Sequence, residues 1–166
     1  MPIAVAALRN LCAGVGKAAS IHAMLRPQQQ ELARLLNAEG CEIVFTEAAA
    51  DGMGHSLAAG VAATAGAAGW LVALADMPFI LPATPRRVLD ALRGGAALAA
   101  ACLRETRGHP VAFAPRFRAD LLALSGDAGA RSLLAAHADL LVRIATDDPG
   151  VLRDIDLRAD LSGLEL

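Results

Sequence analysis

The sequence predicts an α/β domain built on a mainly parallel sheet. Helix-like and strand-like segments alternate along the chain, and the connections between them are mostly short. No repeat, linker or low-complexity break divides the 166 residues, so one domain over 1–166 is expected.

Residues 3–15 carry Ala and Leu at helical spacing and are closed by Gly14 and Gly16. A short apolar run around Ile21, within 17–25, predicts a strand. Pro27 suits a helix's first turn, and Leu32, Leu35 and Leu36 continue that helix over 28–37 until Gly40 stops it. Residues 41–46 (CEIVFT) predict a strand, 48–54 a loop and 56–65 a helix. Residues 70–75 (WLVALA) are continuously apolar, as expected of a parallel strand covered on both faces. A helix is expected over 82–92, a strand over 96–103, and a short strand over 111–114 after a turn. Two helices over 115–124 and 128–138 and a last strand over 140–146 complete the chain before its tail.

Composition narrows the class. Hydrophobic residues make up 55% and charged residues 19%, which excludes an intrinsically disordered chain. Aromatics are only 3%, so the core must come from many small aliphatic contacts. A net charge of −2 argues against nucleic-acid binding, which leans on basic patches. Three widely spaced cysteines, Cys12, Cys41 and Cys102, with no CxxC pair, read as reduced thiols in a cytoplasm. The N-terminus has no basic region ahead of its apolar residues and does not read as a signal peptide. Residues 52–75 hold no charge, a length that can span a bilayer. Their glycines and Thr64 favour a helix, a glycine turn and a buried strand instead, so no membrane contact is expected.

Several familiar motifs fail. GVGK at 14–17 lacks the remaining phosphate-loop positions, which are Leu11 and Ala18 here. His22, His55, His109 and His137 follow no zinc-binding spacing, and no GxSxG elbow or GxGxxG turn is present.

Four patterns carry possible chemistry. GMGHSLAAG at 52–60 sets Gly52 and Gly54 before Ser56 and a helix. That is either a close approach of backbone to a ligand at a helix N-terminus or an ordinary helix start. LVALADMPF at 71–79 ends a buried strand on Asp76, where a carboxylate can hold Mg²⁺ against phosphate oxygens or serve the next turn. RGHPVAF at 107–113 reads as a rigid turn that aims His109 or backbone groups into the same cleft, or as a plain turn. DPGVLRDIDLRADL at 148–161 places Asp154 and Asp156 on an extended segment, one toward the cleft and the other toward solvent, or simply as surface charge near a terminal helix. GDAGAR at 126–131 reads as structural, with Asp127 as a helix N-cap.

In this order and approximate spacing the segments GMGHSLAAG, LADMP, RGHPV, GDAGAR and DPGVLRDID resemble the MobA-like NTP transferases, most closely the molybdenum cofactor cytidylyltransferases. The resemblance runs from about Pro2 to Leu161. It implies a Rossmann-like, three-layer nucleotidyltransferase fold with a mostly parallel sheet and an added hairpin or mixed strand. It implies Mg²⁺-dependent transfer of CMP from CTP to molybdopterin, with a molybdoenzyme or its chaperone as a further partner. Asp76 would match the catalytic, metal-holding aspartate and Asp156 the second acidic position on the metal. Gly52, Gly54 and Ser56 would face the nucleotide, and Gly108 and His109 the acceptor substrate.

The family's opening strand and its loop, LAAG-x-S-x-R-x-G followed by a lysine, have no counterpart in this sequence. The resemblance therefore implies an N-terminally truncated domain with its first strand missing. That strand belongs between the strands near 18–25 and 71–75, which would be left with unpaired backbone groups. The alternatives are a truncated, non-catalytic molybdopterin- or partner-binding module, a related transferase with another base or acceptor, or an oxidoreductase grown from the same fold.

Overall fold

A computed structural model describes residues 1–156. Helix α1 (Ile3–Val15) leads through a 3₁₀ turn to strand β1 (His22–Leu25), helix α2 (Gln30–Ala38) and strand β2 (Glu42–Phe45). Helix α3 (Met53–Ala63) precedes strand β3 (Trp70–Val72) and helix α4 (Ala83–Arg93). Strands β4 (Leu98–Leu103) and β5 (Thr106–Phe113) form a hairpin. Short helices α5 (Arg118–Leu122) and α6 (Arg131–Ala136) lead to strand β6 (Leu141–Thr146).

The strands form two ladders. β1 and β2 pair in parallel, while the second ladder runs β3–β5–β4–β6. Only β5 breaks the common direction of the second ladder: it is antiparallel to β3 and β4, while β4 and β6 are parallel. The mixed strand that the resemblance implies is therefore β5.

Period-two alternation sorts the core into layers. Leu98 and Ala100 of β4, Val111 and Phe113 of β5 and Trp70 of β3 face Val61 of α3, Leu121 of α5 and Leu133 and Leu134 of α6. Their neighbours Ala99, Ala101 and Ala112 turn to the opposite face, against Val88 of α4 and Val151. In the small ladder Leu25 faces α1 and α2 through Val5, Leu8, Ala33 and Leu36. Met24, one residue earlier, points to α3, where its Sδ lies over the bare face of Gly60.

Helices bridge the two ladders. α3 lies over Met24 and over the large sheet's core. On the other side α1 meets α4 at Gly14, whose missing side chain leaves room for Pro82 and Pro85, and Arg86 Nε donates to the Gly14 carbonyl at 2.6 Å. Asn10 Nδ2 of α1 donates to the Pro78 carbonyl at 2.8 Å.

Four expectations need correction. Residues 70–75 do not form one covered parallel strand. Only Trp70–Val72 is regular, β3 pairs antiparallel with β5, and no second partner is present among the described residues. Gly108, His109 and Pro110 are not a turn before a strand but lie inside β5. The reversal sits earlier, at Arg104 with φ +54°. The β4–β5 register slips between Ala100 and Cys102, so residues 108–110 sit in a bulge that accommodates proline's missing N–H. Pro27 lies in the turn before α2 rather than in its first turn. Asp127 is not the N-cap of α6, which begins after Ala130. No described helix is long and apolar enough to cross a membrane.

Candidate active site

Asp76 follows β3 in the segment leading to α4, and a backbone bond fixes its surroundings: the Ile155 N–H donates to the Asp76 carbonyl at 2.9 Å. The 153–156 segment thus runs beside Asp76. Ile155 turns inward and is buried, while Asp154 and Asp156 on either side of it are exposed. Residues two apart on an extended chain share a face, so the expected split of one aspartate inward and one outward does not occur. Both carboxylates act on Asp76. Burial raises the Asp76 pKa first of all, Asp154 and Asp156 raise it further, and nearby His109 pulls it back. Asp76 Oδ1 is buried and has no hydrogen-bond partner. A buried carboxylate oxygen without a donor has a place for a cation, so the residues fit a bound divalent metal. Among the described residues, no group of three or more His, Cys, Asp or Glu side chains is close enough to hold a metal unaided. Water or substrate phosphates would complete the coordination, as Mg²⁺ sites ordinarily require.

The β3–β5 ladder brings His109 to the same place. Val72 pairs with Val111, so His109 lies two residues further along β5, toward the segment that holds Asp76. Burial lowers its pKa, the Val72 carbonyl accepts from the ring and opposes this, Arg107 lowers it and Asp76 raises it. His109 Nδ1 is buried and has no hydrogen-bond partner.

Gly108 has a steric reason to be glycine. A Cβ there would collide with the Val151 backbone, just as one at Gly150 would collide with the Phe79 carbonyl. The 149–152 turn is thereby wedged between β5 and the segment after Asp76. Asp148 locks this wedge, and sequence reasoning missed it. The residue is 4% exposed; its Oδ2 accepts from Leu81 N–H at 2.8 Å and Thr84 Oγ1 at 2.6 Å, and its Oδ1 from Gly150 N–H at 2.9 Å. The Asp-Pro-Gly sequence at 148–150 was the available signal, since aspartate readily accepts from the backbone two residues on.

The GMGHS segment meets another part of the chain. Gly52, at φ +119°, starts α3, and a Cβ on it would lie 2.5 Å from Asp127 Oδ1. Gly54 packs on the Ser125 backbone, and its N–H donates to the Gly126 carbonyl at 2.8 Å. That N–H is engaged within the chain, as the ordinary-helix-start reading of this segment allows. Gly126 N–H donates to His55 Nδ1 at 3.1 Å, and Ser56 Oγ donates back to the Gly52 carbonyl at 3.3 Å. The structure therefore groups Asp76, His109 and Asp156 in one region, and groups Gly52 and Gly54 with residues 125–127.

The model of the family described as MobA-like NTP transferase domain matches residues 2–140. Among solved structures, the chain is similar to the manganese complex of Rv0371c from Mycobacterium tuberculosis H37Rv. The TM-score is 0.80 at 23% identity over 95% of this chain and 83% of that one. A nucleotidyl transferase from Methanothermobacter gives a TM-score of 0.76 at 19% identity, with 95% and 76% of the two chains covered. The Rv0371c homologue from Mycobacterium sp. strain JC1 gives 0.69 at 24% identity, with 91% and 78% covered. These likenesses establish the Rossmann-like fold. No curated protein matches the chain.

Proposed function

Because the chain belongs to the MobA-like NTP transferase family, and is a nucleotidyltransferase by that resemblance, we propose that it serves molybdenum cofactor maturation by transferring CMP from CTP to molybdopterin with Mg²⁺. The observation that carries this reading is Asp76, a carboxylate with a buried, partnerless oxygen, set after β3 and beside Asp156. Such a group meets the need of phosphoryl transfer, which is the placement of charge around the transferring phosphorus rather than covalent chemistry. A divalent cation there would neutralise charge on the phosphates. A manganese complex of a structural neighbour is in keeping with a divalent metal at this fold.

In this reading Asp76 holds the metal, with Asp156 as the second acidic group. Ile155 N–H positions the Asp76 backbone, and Gly52, Gly54 and Ser56 form the nucleotide side. Gly108 and His109 form the molybdopterin side, with a molybdoenzyme or its chaperone as the receiving partner. Asp76→Ala is expected to abolish CMP transfer by a chain carrying the triphosphate loop. Unchanged turnover would remove Asp76 from the mechanism.

A second reading has specific support. β1 and β3 each end a separate ladder and keep one edge unpaired among the described residues, in keeping with a module that lacks the complete sheet of the active transferases. With no counterpart of the family's triphosphate loop in this sequence, the chain would act as a molybdopterin- or partner-binding module. It would then show no thermal shift with CTP and Mg²⁺, and a clear shift would exclude this reading.

A further inference from the structure

A cleft on the amino side of β3, away from Asp76, holds a second set of chemical groups. In the small ladder His22 of β1 pairs with Glu42 of β2, so their side chains share one face. Ser20 lies two residues before His22, where the chain enters β1. His22 Nε2 and Ser20 Oγ are 3.1 Å apart, and His22 Nδ1 stands 3.7 Å from Glu42 Oε2. The Glu42 N–H donates to the Ile21 carbonyl at 2.8 Å, which fixes the backbone between Ser20 and His22 against β2. All three side chains line one open cleft of about 360 Å³, whose other wall is formed by residues 63–67 at the end of α3. Trp70 Nε1 donates to Thr64 Oγ1 at 2.9 Å and holds that wall ahead of β3. Among the described residues, the Ala65 and Gly66 N–H groups donate to no acceptor, and the space over Gly66 is open.

We propose that Ser20, His22 and Glu42 form a hydrolytic relay for small carboxylic esters, a site independent of nucleotidyl transfer. A serine hydroxyl is a weak nucleophile until a base takes its proton. His22 Nε2 is within reach of that proton, and Glu42 on the Nδ1 side orients the ring and offsets the charge it gains. Ser20 Oγ attacks the ester carbonyl carbon as His22 takes the hydroxyl proton. The bond to the leaving alcohol breaks as His22 gives that proton to the alcohol oxygen. His22 then draws a proton from water, the hydroxide adds to the acyl carbon, and Ser20 Oγ leaves with the proton. The Ala65 and Gly66 N–H groups are the available donors to the oxyanion. The 3.7 Å gap to Glu42 is within the motion of a side chain that is 68% exposed, and catalytic hydrogen bonds are often long before substrate binds. The cleft is small for a ligand pocket, which sets a small substrate. No sequence motif signals the site, because Glu42 stands 20 positions past His22 (42 minus 22) and meets it only through the β1–β2 register.

The substrate probe is p-nitrophenyl acetate, with nitrophenolate release followed on the full chain. A fluorophosphonate reagent, mapped by peptide mass, is expected to modify Ser20 of the unaltered chain. Ser20→Ala and His22→Gln should each lower kcat about hundredfold or more. Ser20 is exposed, so its replacement leaves the core untouched. Glu42 acts through His22 as a positioning residue: Glu42→Gln should lower kcat at least about tenfold with KM unchanged, and Glu42→Asp should recover part of the loss. Labelling that misses Ser20, turnover that survives Ser20→Ala, or an unchanged kcat in Glu42→Gln would each overturn the relay. The labelling readout needs no variant to fold.

Discussion

At the scale of single residues, the most consequential side chain outside the metal region is Asp148. Its carboxylate receives three hydrogen bonds in a buried position and ties the start of α4 to the 149–152 turn. Replacement by Ala strands Thr84 and two backbone N–H groups. Asp148→Ala is expected to lower stability by about 3 kcal/mol in urea unfolding, given the usual cost of leaving buried donors unpaired. Cys41 behaves differently. Burial is the main cause that pushes its thiol up to about 11. Since the folded value lies above the ordinary 9.0, Cys41 contributes stability that is complete below about pH 9 and lost as pH rises through about 11. At pH 8, iodoacetamide should therefore label half-buried Cys12 before Cys41, and Cys41 should react only as the chain unfolds.

At the scale of elements, glycine contacts decide where helices sit. Gly54 lies against the Ser125 backbone, and a Cβ there would meet the Ser125 carbonyl oxygen at 2.7 Å. Gly54→Ala should push α3 away from residues 125–127 and cost about 1–3 kcal/mol, with loss of the Gly54–Gly126 bond visible as faster amide exchange at Gly54. Much at this scale was legible beforehand. The extent of α1 over 3–15 follows from its apolar spacing and closing glycines, and 140–146 contains β6. The GHP segment was misread because proline and glycine normally mark turns. Here a β-bulge absorbs the proline, and the Val151 backbone demands the glycine. Such demands come from distant residues and leave no local sign.

At the scale of the whole molecule, two ladders share helical layers but no described strand pairing. The β1–β2 ladder has only two strands, held by α1, α2 and α3, while the four-stranded sheet is packed on both faces. A two-stranded ladder is weak without its helices. Backbone amides of β1 and β2 are expected to exchange markedly faster than those of β4 and β5 in native-state hydrogen exchange. Equal protection would show that helix packing alone couples the ladders into one cooperative unit.

The sequence by itself determined the alternation of helices and strands and the placement of Asp76 after a strand, because periodicity and composition act over a few residues. Only the tertiary structure decided that β5 runs against its neighbours, that Asp154 and Asp156 both flank Asp76, and that His109 Nδ1 and Asp76 Oδ1 are buried without hydrogen-bond partners. Those facts depend on which strand pairs with which. Strand pairing is set by the burial of whole faces rather than by any short run of residues.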